Sequence, residues 1–276
     1  MAMRVAITGG SGFIGTAVIR AALDQGYEAW TFDRSNGDDV LGDLKSLKGA
    51  DAVIHLAGVL GTHELFDTVE DAIQQNIIGS YRVMQWCLDN NATYVGITMP
   101  DVFPSIYTAT KVATQRLATA LHHSRGLKCA HVRAFNAFGP GQKYGPGHPQ
   151  KIIPTFAIKA WHNEPIPIWG DGTQTVDLIH TDDIAEILLR ACHLTDNQFV
   201  DAGSGFPLTV NEVAEFVLKI THSTAGVEHL PMRDGETPTQ IVAQGEGWDA
   251  IAWDPGEGFD WDALRETVRW YWHRHL

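Results

Sequence analysis

Cysteine is scarce in this sequence, and its scarcity limits how the chain can be stabilised. The 276 residues contain three cysteines, Cys87, Cys129 and Cys192, each in a segment patterned with apolar residues. An odd number in such segments argues against a disulfide framework and predicts buried thiols in a reducing compartment. Long apolar runs are missing too: none approaches the ~18 residues of a membrane-spanning helix, and no cationic stretch precedes an apolar one as in a signal peptide. We therefore expect a soluble cytoplasmic protein.

Positive charge is also in short supply. The chain carries 20 Lys and Arg residues against 33 Asp and Glu residues, a formal net charge of −13. This balance argues against nonspecific binding to nucleic acid or to an anionic membrane. It does not argue against an anionic small molecule, because a few local arginines can still form a pocket for one. The 13 histidines show no metal-ligand spacing, so no metal site is predicted.

Strand-like and helix-like segments alternate through the first half of the chain. Strands are expected at 5–7, 29–32, 39–41, 52–56, 93–98 and 128–133, and helices at 13–25, 67–90 and 105–124. Such alternation is typical of a parallel sheet covered by helices on both faces. The sequence therefore predicts an α/β fold built on a doubly wound parallel sheet of the Rossmann type.

The amino-acid composition changes beyond residue 138, where a stretch rich in Gly and Pro begins. Helices are expected at 152–161, 184–192, 210–220 and 261–272, and strands at 165–169, 175–179 and 199–200. We expect residues 1–138 to form the sheet domain, with 177–204 returning to it. Residues 139–176 and 205–276 then form a smaller lobe that is woven into the sheet domain rather than appended to it.

A glycine-rich turn follows the first predicted strand and opens the first helix. Its spacing is Gly9-x-x-Gly12-x-x-Gly15, which differs from the G-x-G-x-x-G dinucleotide fingerprint. In a strand–turn–helix setting, such glycines let the backbone approach a pyrophosphate, and the helix N-terminus attracts the anion. This loop predicts dinucleotide contacts at Gly9, Ser11, Gly12, Phe13, Ile14 and Gly15.

The end of the second predicted strand bears on which dinucleotide is bound. Asp33 can accept hydrogen bonds from both adenosine ribose hydroxyls and would repel a 2′-phosphate, which favours NAD over NADP. The neighbouring Arg34 leaves NADP open, because an arginine there can accept the 2′-phosphate. Asp43, beside Leu44, is interpreted either as a contact to the adenine edge or as a turn carboxylate.

A tyrosine and a lysine stand four residues apart at the start of the helix after the fifth main strand. Tyr107 and Lys111 therefore share one helix face. A tyrosine with a pKa of about 10 is a poor base near neutral pH, but an adjacent ammonium and an oxidised nicotinamide lower that pKa. The pair predicts a phenolate base that removes a proton from a substrate hydroxyl while hydride leaves its carbon. Lys111 can also hold the nicotinamide ribose.

Together these features resemble the extended short-chain dehydrogenase/reductases of the NAD-dependent epimerase/dehydratase family. The matching segments are residues 8–15, 55–58, Asn76, 107–111, 133–136, 138–140, 170–175, 180–183 and 233–236. The resemblance is highly specific for the family and much less so for the reaction. It implies NAD contacts at Leu56, Ala57, Gly58 and Asn76, and a homodimer paired through helices 67–90 and 105–124.

The resemblance also implies a substrate, a nucleotide-diphosphate sugar bound between the lobes and oxidised at C4. Asn136 would contact the diphosphate and Arg233 its phosphates, since an acidic protein must supply local cations and arginine does so bidentately. The family often has an arginine where this chain has Val176. Lys143 or Lys151 is the candidate replacement.

The segment after the fifth main strand departs from the family pattern. Met99 stands where the family has Ser or Thr, and it cannot donate a useful hydrogen bond. Thr98 serves if the backbone shifts by one residue; otherwise catalysis depends on Tyr107 alone. The loop from here to Tyr107 is about a dozen residues shorter than in relatives. It implies an open site or one closed by another subunit.

The leading hypothesis is a nucleotide-sugar 4-epimerase that uses NAD, with Tyr107, Lys111 and Thr98 at the reacting hydroxyl. Family dehydratases carry an Asp–Glu pair where this chain has Pro100 and Asp101, so one carboxylate remains. Asp101 therefore keeps a dehydratase open, as acid or base, although it is equally well explained as a turn residue. A non-catalytic dinucleotide-binding regulatory protein and a reductase with a non-sugar substrate also stay open.

Overall fold

The computed structural model describes residues 2–61, 64–100, 104–145, 147–233 and 238–275. The strands are β1 (Arg4–Thr8), β2 (Glu28–Phe32), β3 (Ala52–His55), β4 (Thr93–Thr98), β5 (Cys129–Ala134), β6 (Asn136–Phe138), β7 (Ile166–Trp169), β8 (Thr175–His180), β9 (Asp196–Ala202), β10 (Pro207–Thr209) and β11 (Val227–Leu230). The helices are α1 (Phe13–Asp24), α2 (Val69–Ala72), α3 (Ser80–Asn90), α4 (Ile106–Arg125), α5 (Ile152–Trp161), α6 (Thr181–Ala191), α7 (Val210–Thr221) and α8 (Trp261–His275). A π-helical stretch (Ile73–Gly79) joins α2 to α3.

Six parallel strands form the central sheet in the order β2-β1-β3-β4-β5-β9. Its inner strands carry continuous apolar runs because both faces are covered. Helices α1 and α6 pack on one face, and α3 and α4 on the other. The predicted doubly wound parallel sheet is confirmed. The strand order reverses between β1 and β3, and ligands of such sheets bind at that point, outside the carboxyl ends of the strands.

Two small sheets build the rest of the molecule. One has the order β10-β8-β6, and the other pairs β11 with β7 in parallel. A second apolar core lies among α5, α7, α8 and these strands. The chain crosses between the small sheets and the large one three times: from β5 to β6, from β8 to β9 and from β9 to β10. β8 belongs to the three-stranded sheet, whereas α6 packs on the six-stranded sheet and β9 extends it.

The predicted strand at 39–41 is wrong. These residues form a turn, in which Asp39 accepts hydrogen bonds from the backbone N–H groups of Leu41 and Gly42. An aspartate that binds its own downstream backbone in this way favours a turn over a strand. Conversely, β6, β10 and β11 were not predicted. Each is three or four residues long and is defined by its pairing with a distant strand rather than by a local pattern.

The long helix predicted at 67–90 is instead a series of different helical types. A 3₁₀ turn (Glu64–Asp67) precedes α2, the π-helical stretch follows, and α3 completes the series. π-helical stretches are rare and often mark functional sites. This one contains Asn76.

The structure also tests the expectations about disulfides, membrane-spanning helices and metal sites. The thiols of Cys87, Cys129 and Cys192 are buried and free. Within the described ranges, no helix combines the length and apolar character needed to cross a membrane. In the same part of the chain, no group of three or more His, Cys, Asp or Glu side chains is arranged to hold a metal ion.

Candidate active site

A cleft of about 660 Å³ lies at the carboxyl ends of the central strands and extends to the smaller lobe. Most of the residues singled out from the sequence line it on the central-sheet side: Gly9, Gly12, Phe13, Ile14, Gly15, Asp33, Arg34, Leu56, Ala57, Gly58, Thr98, Tyr107 and Lys111. On the other side the lining includes Asn136, Lys151, Thr155, Trp169, Gln174 and Arg233. The cleft therefore brings together side chains from both halves of the chain.

The glycine-rich turn is held too tightly for larger residues. Gly9 has φ of +72°, a left-handed conformation that favours glycine. A Cβ on Gly15 would lie 2.3 Å from the carbonyl oxygen of Gly9. Gly12 precedes α1 and provides no side-chain cap for its N-terminus. The helix thus presents uncapped N–H groups to the cleft, as an anion site requires.

The acidic residue at the end of β2 is held by the backbone around it. Asp33 accepts hydrogen bonds from the N–H groups of Ser35 at 2.9 Å and Ser11 at 3.3 Å. The Nε of Arg34 donates to Asp39 at 3.0 Å, so its guanidinium is drawn towards another carboxylate of the cleft. Ser11 itself does not line the cleft; its hydroxyl bonds that of Ser35 at 2.8 Å.

Three other predicted residues stand apart from this cleft. Asp43 pairs with Lys45 at 2.6 Å, and neither Asp43 nor Leu44 is among the lining residues. Residues 38–40 line this part of the cleft in their place. Lys143 does not line the cleft either, whereas Lys151 does. Cofactor contacts from Asp43 and Leu44 and a substrate contact from Lys143 therefore stay predictions from the sequence.

The buried Asn76 fixes the loop that follows β3. Its Oδ1 accepts from the N–H of Val59 at 2.8 Å, and its Nδ2 donates to the carbonyl of Val59 at 3.0 Å and to the hydroxyl of Thr110 at 3.1 Å. Asn76 lies behind residues 56–58 rather than in the lining. It shapes the cleft through this loop and through α4.

A buried histidine joins the same loop to β1 and α3. His55 contacts Thr8 through Nδ1 at 2.7 Å and Ser80 through Nε2 at 2.8 Å. The Ser80 hydroxyl donates to the carbonyl of Asn76, and the Thr8 hydroxyl accepts from the N–H of Ala57. Burial, with a smaller contribution from Lys111, lowers the pKa of His55 to about 3. The imidazole is neutral and part of a continuous hydrogen-bond chain.

Tyr107 and Lys111 face the cleft from the first turns of α4. Ser105 caps this helix by accepting from the N–H of Thr108 at 3.1 Å. The Lys111 Nζ lies 5.7 Å from the centre of the Tyr107 ring. Burial lowers the pKa of Lys111 to about 8. Burial also raises the pKa of Tyr107, the direction opposite to that needed for a base, so its deprotonation requires stabilisation by neighbouring positive charge.

The end of β4 supplies a hydroxyl group without a partner. Within the described residues, Thr98 Oγ1 is buried and makes no hydrogen bond. Met99, the next residue, accepts a weak hydrogen bond through its sulfur from the Thr108 hydroxyl at 3.7 Å. Thr98 is therefore the residue of this pair that has hydrogen-bonding capacity left. Asp101, the candidate acid or base of a dehydratase, lies outside the described residues.

The smaller-lobe side contains polar atoms that the sequence did not single out. Within the described part of the chain, Thr155 Oγ1, Gln174 Oε1 and Thr175 Oγ1 are buried and lack hydrogen-bond partners, and all three residues line the cleft. Buried polar atoms are normally satisfied, so unpaired ones in a cleft indicate a ligand that completes them. The polar Gln174–Thr175 dipeptide beside Val176 was the available signal in the sequence.

Arg233 lies in the same half of the cleft. Its guanidinium carbon is 4.7 Å from the ring centre of Trp169, which is a cation–π distance. Asn136 lines the cleft at the start of β6. Both residues line the cleft from outside the six-stranded sheet.

Known proteins share both the sequence pattern and the fold of this chain. A family model, the NAD dependent epimerase/dehydratase family, matches residues 5–98 and 97–201. A UDP-glucuronate 4-epimerase of Thermodesulfobacterium geofontis is 26% identical over 237 residues, covering 79% of this chain and 72% of that protein. A dTDP-glucose 4,6-dehydratase of Streptomyces niveus is 26% identical over an alignment of 322 positions, covering 98% and 93%. The solved structure of UDP-N-acetylglucosamine 4-epimerase from Methanobrevibacter ruminantium M1, in complex with UDP-N-acetylmuramic acid, aligns with a TM-score of 0.91 at 25% identity over 99% of both chains.

Proposed function

We propose that this chain, which belongs to the NAD-dependent epimerase/dehydratase family, is a nucleotide-sugar 4-epimerase. Membership makes NAD its cofactor, and its relatives act on nucleotide sugars as epimerases, dehydratases and decarboxylases. The observation that carries the 4-epimerase proposal is the pair of half-buried Tyr107 and buried Lys111, which lines the same cleft as the unpaired hydroxyl of Thr98.

The central-sheet side of the cleft fits a dinucleotide. Gly9, Gly12 and Gly15 would hold the pyrophosphate at the N-terminus of α1, where a Cβ would collide with the backbone. Asp33 would accept the adenosine ribose hydroxyls, and Lys111 would donate to the nicotinamide ribose. Held by these residues, NAD would supply the hydride acceptor for oxidation at C4 of the sugar and the hydride donor for the return step.

Tyr107 is the proposed base. Its phenolate oxygen takes the proton of the C4 hydroxyl and gives it back when the hydroxyl re-forms. Because burial raises the pKa of Tyr107, a positive charge must offset that effect. Lys111, whose pKa of about 8 keeps most of it protonated at neutral pH, is the cation that the protein itself supplies.

Thr98 is the proposed partner of the reacting hydroxyl. Its Oγ1 has no hydrogen bond within the described residues, so a substrate hydroxyl would relieve the cost of burying it. A threonine hydroxyl can donate and accept, which suits an oxygen that changes between hydroxyl and carbonyl.

The diphosphate is proposed to bind on the smaller-lobe side. Arg233 provides a delocalised cation there, and its position over Trp169 favours one orientation of the guanidinium. Asn136 can supply an amide donor from the start of β6. These two residues support an anionic ligand in a protein that is acidic as a whole.

A dehydratase acting on the same substrates is the alternative. It is favoured by the similarity to dehydratases and by the carboxylate of Asp101. Pro100, in the position of its expected acidic neighbour, argues against the full 4,6-dehydratase reaction because one of two acid–base groups is missing.

We further propose that the chain forms a homodimer. Large apolar side chains are exposed at the turn before α2, in the π-helical stretch and in α3; they are Phe66, Ile73, Ile78 and Tyr81. A patch of exposed apolar side chains on neighbouring turns is typical of a subunit interface. Light scattering at several concentrations tests the mass, with Ile78→Lys as the disrupting variant.

The deciding experiment incubates the protein and NAD with UDP-glucose, UDP-glucuronate, UDP-N-acetylglucosamine and dTDP-glucose, and separates the products by chromatography with mass spectrometry. Tyr107→Phe is run beside it, with Tyr27→Phe as the control because Tyr27 lies outside the cleft. We expect a product of unchanged mass from the wild-type protein and from Tyr27→Phe, and none from Tyr107→Phe.

Other outcomes would change the conclusion. A product lighter by one water would replace the epimerase with a dehydratase and make Asp101 the next residue to vary. Full activity of Tyr107→Phe would remove Tyr107 from the mechanism. Bound NAD without any product from this panel would favour a regulatory role or a substrate of another class.

A further inference from the structure

Residues 238–248, here named the strap, hydrogen-bond to both the three-stranded and the six-stranded sheet. At the start of the strap, the carbonyl of Thr239 accepts from the N–H of Thr175 in β8 at 3.0 Å. Near its end, the carbonyl of Glu246 accepts from the N–H of Asp201 in β9 at 2.8 Å. Thr239 and Ile241 line the cleft on the smaller-lobe side. The position of this wall therefore depends on how the strap is held.

Asp177, on β8, is fully buried and ties the strap to its surroundings. Its Oδ1 accepts from the N–H and the hydroxyl of Ser204, at 2.6 and 2.7 Å. Its Oδ2 accepts from the N–H of Gly205 at 3.0 Å and from the N–H of Ala243, in the strap, at 2.8 Å. A buried carboxylate is tolerated when donors converge on both oxygens, as they do here.

Asp201, on β9 of the six-stranded sheet, also accepts hydrogen bonds from the strap. Its Oδ2 accepts from the N–H groups of Gln244 and Glu246 at 2.9 and 3.3 Å. Its Oδ1 accepts from Arg133, whose Nη2 also donates to Glu246 at 2.6 Å. Two buried carboxylates on two different sheets thus fix three N–H donors of one short segment.

We propose that Asp177 and Asp201 are positioning residues for substrate binding, because they set where the strap places Thr239 and Ile241 in the cleft. The proposal rests on the proposed function, since the ligand concerned is the nucleotide sugar. The glycine-rich turn, Asp33 and the Tyr107–Lys111 pair belong to other elements, and the hydrogen bonds that hold the strap do not involve them. The two carboxylates therefore act on substrate affinity and leave cofactor affinity unchanged.

Asparagine is the sharpest substitution at these positions. Asp177→Asn keeps the size of the side chain but replaces one acceptor oxygen with an NH₂ group that faces two donors. The strap must then move or lose hydrogen bonds. Ser204→Ala is the milder variant, because it removes one of the four bonds to Asp177 and leaves the carboxylate intact. Asp254→Asn is the matched control: Asp254 is exposed and accepts one backbone N–H, from Gly256, outside the strap.

The test combines kinetics, cofactor binding and amide hydrogen exchange on the full-length variants. The probe is whichever of UDP-glucose, UDP-glucuronate, UDP-N-acetylglucosamine or dTDP-glucose the wild-type protein converts best. For Asp177→Asn and Asp201→Asn we expect KM to rise about tenfold, which corresponds to the loss of a hydrogen bond to a charged group. We expect kcat to stay within about threefold of the wild-type value and NAD affinity to be unchanged. Exchange at Ala243, Gln244 and Glu246 should accelerate. Ser204→Ala should shift KM in the same direction by about threefold, and Asp254→Asn should match the wild type.

Two results would overturn the proposal. The first is an unchanged KM although amide exchange in the strap becomes faster. The second is a parallel loss of kcat, NAD affinity and melting temperature, because that would indicate a general folding role. If Asp177→Asn fails to fold, the KM and exchange of Ser204→Ala decide. Failure of the proposed function is distinct, because then the wild-type protein converts no nucleotide sugar. In that case UDP affinity replaces KM and exchange in the strap is read as before.

Discussion

The two sides of the cleft differ in how completely their polar groups are paired. On the central-sheet side, Thr8 bonds His55, and His55 is linked through Ser80 to the carbonyl of Asn76. Thr8 and Asn76 also accept hydrogen bonds from the loop after β3. On the smaller-lobe side, Thr155 and Gln174 keep buried oxygen atoms without partners within the described residues. Apart from Thr98, whose unpaired hydroxyl is proposed to meet the substrate, the first side is organised before any ligand arrives, whereas the second is completed by one. This difference suits a cofactor shared by a whole family and a substrate that varies between its members.

Of the variants that test this difference between the two sides, we expect the largest effect from Lys111→Met, on the central-sheet side. We expect kcat to fall by about a hundredfold or more, because the Tyr107 phenolate loses the cation that offsets its burial. Steady-state kinetics with the converted nucleotide sugar measure this. Activity near that of the wild type would mean that another charge stabilises the phenolate.

The same variant has an opposite effect on stability. Burial lowers the pKa of Lys111 in the folded protein to about 8 from 10.5, so the unfolded chain binds more protons between these values. The destabilisation is complete below pH 8 and is relieved as the pH rises towards 10.5. Lys111→Met should therefore raise the melting temperature at about pH 7 in the absence of ligands, and its advantage should shrink above about pH 8. An advantage that does not change with pH would point to packing instead of charge.

Gly15→Ala tests how rigid the organised side is. The new Cβ would lie 2.3 Å from the Gly9 carbonyl, so the turn must shift, and overpacking of this kind costs about 1–3 kcal/mol. We expect NAD affinity to fall about 10- to 100-fold by titration calorimetry. Gly258→Ala is the control, because its Cβ would meet no atom within 4 Å. Equal NAD affinity in the two variants would show that the turn adapts.

A pair of threonine variants sharpens the comparison directly. Thr155→Val removes an unpaired hydroxyl, whereas Thr114→Val removes one that donates to the carbonyls of Asn76 and Thr110. We expect Thr114→Val to lose about 1 kcal/mol of unfolding free energy, and Thr155→Val to lose none. Substrate KM should rise severalfold in Thr155→Val alone. Denaturant unfolding and kinetics check both; equal destabilisation would remove the distinction between the two sides.

The smallest expected effect concerns the choice of dinucleotide. Asp39→Asn weakens the ion pair with Arg34, and the Arg34 guanidinium is then free to turn towards a 2′-phosphate. The pair is exposed, and such pairs contribute about 0.2–1 kcal/mol, so the NADP-to-NAD affinity ratio should rise only about two- to fivefold. Calorimetry with each dinucleotide measures the ratio. A fall in the ratio would mean that Arg34 already faces the 2′-position in the wild type.

The parts of the fold that local sequence determines were predictable. β4 and α5 begin and end where the apolar pattern and turn residues indicated. β10 and β11 were not, because their pairing partners are distant in sequence. The turn at Asp39 was predicted as a strand because the apolar residues Val40 and Leu41 follow it. The hydrogen bond from the Leu41 N–H to the Asp39 carboxylate, which closes the turn, cannot be seen in that pattern.

The site shows the same division between local pattern and tertiary context. The glycine-rich turn and the Tyr107–Lys111 spacing are local signals and therefore readable. The unpaired oxygens of Thr155 and Gln174 are not readable, because whether a hydroxyl or an amide is satisfied depends on neighbours from other elements. Asp177 could be noted as a charge within an apolar strand, but its partners in the strap could not be foreseen.

The histidine chain has a consequence for spectroscopy. Since the carbonyl of Asn76 can only accept, the Ser80 hydroxyl must donate to it and accept from His55 Nε2. The imidazole of His55 is thereby restricted to one tautomer, with its proton on Nε2 and buried. That proton should exchange slowly with solvent and give a resolved downfield ¹H–¹⁵N resonance. It would report on the loop after β3 from within the core, as NAD is titrated into the unliganded protein.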